Sequence, residues 1–100
     1  MEKSLTYLAT TDASCAELKA NVARSEYLAK LAEAIAFKTA DGTVEEKKAR
    51  AKISEESQKA WDRHFTAIAE YEKVRAKRET EVLVVDVWRS MNANRRVGNV

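Results

Sequence analysis

Proline is absent from this chain of 100 residues, and glycine occurs only twice, as Gly42 and Gly98. Strand-rich folds need turn residues about every ten positions, so this scarcity argues against a sandwich or barrel. No glycine-rich phosphate loop can be built from two isolated glycines. Cys15 is the only cysteine and cannot close an internal disulfide, which suits a reducing cytoplasm. His64 is the only histidine, and neither residue sits in a Cys-x-x-Cys or His-x-x-x-His spacing. No metal or other cofactor is therefore expected. Nucleophilic catalysis through Cys15 would need an oriented base beside it, and none is indicated. Beside Phe65, His64 reads as a packing or solvent-facing residue. No apolar run approaches the roughly 18 residues needed to span a bilayer. The start, Met1-Glu2-Lys3-Ser4, lacks the basic-then-apolar order of a signal peptide. The net charge of +2 is too small to imply a polyanionic partner by itself.

What the chain does have is alanine and charge. Hydrophobic residues make up 45% of it and charged residues 34%, with only seven aromatics. That profile belongs to long helices packed closely together. Thr39-Ala40-Asp41-Gly42-Thr43 is the clearest break before the C-terminal end. Gly42 suits a helix C-cap, and Thr43-Val44-Glu45-Glu46 is a capping-box pattern. One helix therefore ends near Thr39 and another starts near Val44. Upstream, apolar or small residues recur at Leu8, Thr11, Cys15, Leu18, Val22, Ser25, Leu28, Ala32 and Ile35, in steps of three and four. This first helix begins either near residue 12, where Thr11, Asp12 or Ser14 offers a cap, or earlier, near Ser4.

Downstream, a short charged helix over about 44–52 precedes Ser54-Glu55-Glu56, a fresh N-cap with acids in its first turn. A bend is expected near Ile53. A long helix over about 55–93 follows, then a tail over 94–100. Its stripe reads Trp61, Phe65, Ile68, Tyr71, Val74 or Arg75, Arg78, Val82, Val85 and Trp88. Long helices joined by a short connection pack antiparallel. The expected fold is one all-α domain: a coiled-coil-like antiparallel hairpin of two long helices with a short connecting helix. Val82 to Trp88 is apolar nearly all round, more than one neighbouring helix can cover. A homo-oligomer, a dimer above all, is expected through Val82, Val85 and Trp88. The rival reading of that stretch is a β-strand, since its valines favour strands.

Carboxylate pairs such as Glu45/Glu46 and Glu55/Glu56 point in different directions on a helix and suit helix N-termini better than acid–base catalysis. No enzyme and no small-molecule substrate are expected. Charge is distributed unevenly: residues 1–44 hold five Lys/Arg against six Asp/Glu, and residues 45–100 hold thirteen against ten. Lys47, Lys48, Arg50 and Lys52 cluster on the short helix. Arg75 and Arg78 interrupt the long stripe, and Arg89, Arg95 and Arg96 end the chain among asparagines with no acid nearby. Arginine, lysine and asparagine make phosphate and base-edge contacts, although cations also simply keep helices soluble.

Asp41-Gly42-Thr43-Val44-Glu45-Glu46-Lys47-Lys48-Ala49, then Ala69-Glu70-Tyr71-Glu72-Lys73-Val74-Arg75-Ala76-Lys77-Arg78, then Val87-Trp88-Arg89-Ser90-Met91-Asn92-Ala93-Asn94-Arg95-Arg96 resemble a loose group of small phage and prophage proteins. The shared plan covers nearly the whole length: long helix, Gly-containing turn, short basic helix, long helix, Trp-Arg-Ser and an Asn/Arg tail. Such proteins are often encoded among recombination and replication functions. The resemblance implies an accessory role in DNA metabolism in the bacterial cytoplasm and transfers no catalytic motif. The expected activity is binding to DNA or a DNA-processing protein through Lys47–Lys52, Arg75–Arg78 and Arg89–Arg96. Two other expectations stand beside it: inhibition of a host defence or nuclease complex by occupying a protein surface, and a purely structural assembly role.

Overall fold

A computed structural model describes residues 1–98, with side chains described through Arg95. The chain is all-α: α1 spans Glu2–Thr39, α2 Val44–Ile53 and α3 Glu55–Gly98. Two compact units are present. In unit 1, Met1–Ala16 packs with the chain from Glu72 onward, and unit 2 is Glu17–Tyr71. Contacts of unit 2 pair Ser25 with His64 and Glu33 with Trp61, so the helices run antiparallel there. Within unit 2, α1 and α3 are thus the two arms of a helical hairpin with the short α2 between them, as the sequence predicts.

The turn forms for the reasons its residues suggest. Gly42 has φ 111°, a conformation open to glycine and strained for other residues. Thr43 is extended and caps α2. Glu46 N–H donates to Thr43 Oγ1 at 3.3 Å, and Thr43 N–H donates to the Glu46 carboxylate at 3.4 Å, closing the capping box. Arg50 Nη1 donates to the Asp41 carbonyl at 2.9 Å, tying α2 back onto the loop. The expected bend near Ile53 falls on one extended residue, Ser54, which ends α2 and starts α3. Ser57 N–H donates to Ser54 Oγ at 3.3 Å, and the Ser57 side chain is fully buried.

Several expected boundaries and faces differ. Of the two starts open for α1, the early one holds. Proline is absent and Thr10, Thr11 and Ser14 return their hydroxyls to carbonyls three or four residues back, so nothing interrupts the helix. The tail placed at 94–100 is helical through Gly98, because no breaker stands between Asn94 and Val97. Residues 99 and 100 of that tail lie outside the described residues. Val82–Trp88 is helical and not a strand, within the uninterrupted ladder of α3.

The stripes shift as well. On α1, Ala29 is fully buried and Ala36 half-buried, while Leu28 and Ile35 are exposed. On α3, His64 is buried and Phe65 exposed. The covered positions of α3 include Ser57, Trp61, His64, Ile68, Tyr71, Arg75, Arg78, Val85 and Asn92, with Ala60, Ala67, Val74 and Glu81 half-buried beside them. From Ser57 to Arg78 the steps alternate four and three, as in a coiled-coil repeat, and Val85 and Asn92 follow at seven-residue intervals. Among the described residues, no helix is long and apolar enough to cross a membrane.

A Cβ added at Gly42 would collide with the Glu46 carboxylate that closes the cap, in addition to the backbone strain. Gly42→Ala should therefore cost about 1 kcal/mol or more. The check is a lowered urea midpoint at unchanged slope.

Candidate functional site

The cations expected to bind a partner separate by what they touch. On α2, four cations face two acids within ten residues, and one of those acids, Glu46, closes the capping box. Helix periodicity puts Lys48 and Lys52 one turn apart on the same side. Both are exposed, and they line a shallow groove of about 350 Å³ in unit 2 with Lys30, Glu33 and Phe37. Glu33 accepts the Trp61 indole N–H at 2.6 Å, and Lys30 pairs with Glu26 at 3.2 Å. Lys47 is half-buried with its ammonium 5.8 Å from the Phe37 ring centre, a cation–π distance. Arg50 is occupied by the Asp41 carbonyl.

In unit 1, Arg75 bridges Glu72 and Glu79 on its own helix, at 2.6 Å each. Arg78 enters the seam: its guanidinium donates to the Leu8 carbonyl at 2.8 Å, to Thr11 Oγ1 at 2.6 Å and to the Asp12 carboxylate. The planar fork of arginine spreads these bonds over two nitrogens, a fixed span that the single ammonium nitrogen of lysine does not have. Arg75 and Arg78 therefore act first as structural groups, and the weakly apolar middle of the α3 stripe is salt-bridged. Arg89 and Arg95 are exposed. The side chain of Arg96 lies outside the described residues. Lys47, Lys48, Arg50 and Lys52 belong to unit 2, and Arg75, Arg78, Arg89 and Arg95 to unit 1.

The expected oligomer face divides too. Val85 is buried within unit 1, only 5% exposed, so it belongs to the interior and is corrected from interface to core. Val82 and Trp88 are 44% and 45% exposed. The sequence stripe passed over Leu83, Val84, Val87 and Met91, which are exposed beside them. In unit 2, Tyr27, Leu28, Leu31 and Ile35 leave a second apolar surface on α1. Counting the apolar residues by sevens would have found both, because residues outside the two seam positions of each heptad must point outward.

The residues considered for chemistry have structural partners. His64 is buried, edge-on to Trp61 with ring centres 5.5 Å apart, and its Nδ1 lies 2.9 Å from Ser25 Oγ. The Ser25 hydroxyl also lies 3.0 Å from the Val22 carbonyl, so it links His64 to the backbone of α1. This fixes the ring as a seam group. Cys15 is half-buried on a groove in unit 1 with Arg75, Arg78, Glu79, Val82 and Leu83. Among the described residues, no three His, Cys, Asp or Glu side chains gather as a metal site would require.

Compared with protein-family models, curated proteins and solved structures, the chain matches none.

Arg78 bonds three residues of α1, with its side chain 22% exposed. Arg78→Ala strands acceptors on α1 and should cost about 2–3 kcal/mol. Faster hydrogen exchange at amides of residues 3–12 in that variant, with Arg78→Lys recovering little, is the expected result.

Proposed function

We propose that this chain is a non-enzymatic, phage-type binding protein of the bacterial cytoplasm, accessory to DNA recombination or replication, that engages DNA or a DNA-processing protein through α2. The observation that carries the reading is the exposed Lys48–Lys52 pair on a groove with Lys30, beside Lys47. Lys30 is paired with Glu26, while Glu46 and Glu33 are held by the helix cap and the Trp61 indole, so Lys48 and Lys52 carry the reading. Lysines one turn apart can follow neighbouring phosphates along a strand, while a duplex carries a charge about every 1.7 Å of axis. Such contacts position a protein on nucleic acid without reading its sequence. Arg89 and Arg95 remain candidates for further contacts. Arg50, Arg75 and Arg78 carry less weight, because their guanidinium groups already bond protein acceptors.

A second reading has an observation of its own. Leu28, Leu31 and Ile35 are exposed on α1 at the three- and four-residue spacing with which a helix enters an apolar groove. That face favours a protein target, and inhibition of a host defence or nuclease complex is the function such a wedge would serve.

Gel shifts with single- and double-stranded DNA test the first reading. Binding should weaken steeply between about 50 and 200 mM salt. Lys48→Ala/Lys52→Ala should weaken it on every sequence and flatten the salt dependence by about two phosphate contacts, while Arg75→Ala should leave it near wild type. DNA binding that is absent at low salt or indifferent to salt overturns direct DNA contact. Capture of a host nuclease that is lost in Leu28→Glu/Ile35→Glu would then select the second reading.

A further inference from the structure

Thr80, Val84, Val87, Trp88, Met91 and Arg95 form one stripe on α3, on the flank of the positions that α3 buries. Val84, Val87, Trp88 and Met91 are 42%, 58%, 45% and 53% exposed, more apolar surface together than scattered surface residues leave. The steps along the stripe are four, three, one, three and four residues, the same from either end. A helix face with that symmetry is complementary to itself when a second copy lies antiparallel, which is the condition for an isologous two-fold contact.

We propose that a second copy of this chain covers this face, with the two α3 segments antiparallel about a two-fold axis that passes beside the Val87–Trp88 peptide. Val84 of one copy then packs on Met91 of the other, twice. Trp88 meets Trp88 on one flank of the axis, and Val87 meets Val87 on the opposite flank. The same register sets Glu81 of each copy against Arg95 of the other. Glu81 is half-buried and Arg95 exposed, and neither has an ion-pair partner among the described residues. The contact would therefore be apolar at its centre and charge-complementary at both ends. Four side chains at these exposures offer roughly 350 Å² of apolar surface per copy. The two copies together bring roughly 700 Å² of it, and flanking polar groups must supply the remainder of the roughly 1,000 Å² at which specific interfaces begin. The surface lies wholly in unit 1 and does not involve Lys48 or Lys52, so it is independent of the proposed DNA contact.

The test is sedimentation equilibrium of the full chain, followed by charge exchange. Wild type should show twice the 11.3 kDa chain mass at micromolar concentration. Val87→Glu/Met91→Glu should give a monomer with unchanged helix content. Glu81→Arg and Arg95→Glu should each weaken the dimer about tenfold, by juxtaposing like charges twice. Mixing those two variants should restore it, because each mutated end then faces its complement. In a Cys15→Ser background, Trp88→Cys should cross-link to itself under mild oxidation. A wild-type monomer at about 100 µM overturns the proposal, as does a dimer that survives Val87→Glu/Met91→Glu or a mixture that fails to recover.

Discussion

The contact surfaces of α1 and α3 are narrow, and the rest of the molecule follows from that. Ala29 is fully buried and Ala32 and Ala36 are half-buried, so α1 presents small side chains and neighbouring backbone can approach closely. On α3, the covered positions include Ser57, His64, Arg75 and Arg78. A strip of this kind has little apolar volume to hold it, and among the described residues the buried hydrophobic side chains are Ala29, Ala51 and Val85. Directional bonds supply what volume does not: the Ser25–His64 pair, the Trp61–Glu33 bond and the Arg78 fork. Each needs both partners, since a polar group left alone in the seam keeps its desolvation penalty.

This construction also determines which charges are available for binding. A guanidinium inside a seam is held by acceptors that water cannot replace, so Arg78 behaves as a strut. Lysines on the outside of a short helix have no such acceptors, and Lys48 and Lys52 remain directed at solvent. The apolar side chains divide by the same geometry. A heptad covers two positions in seven, and a segment as uniformly apolar as Val82 to Val87 must then expose most of what it contains.

Much of this was legible in the chain itself. Gly42, the Thr43 capping box and the Ser54 break are local signals, because each acts through bonds within three or four residues. The absence of breakers made both long helices readable. Less legible was the side of each helix that turns inward. Leu28 and Ala29, or Phe65 and His64, are adjacent in sequence, and a stripe read at 3.6 residues per turn reaches the larger side chain of each pair. Steps of three and of four both stay on one helix face, and packing took the smaller or the polar residue of each pair. The chain does not advertise that Val85 lies inside while Val84 and Val87 lie outside, since the three have the same side chain.

Helix identity and the helix ends at the Gly42 turn and the Ser54 break therefore come from sequence, because propensity, capping and composition operate at short range. Tertiary structure alone decided which arginines are spent on the fold, that His64 is held by Ser25, and which valines remain uncovered. Those outcomes depend on residues up to 70 positions apart, as in the bond from Arg78 to the Leu8 carbonyl. No local pattern encodes a partner at that separation.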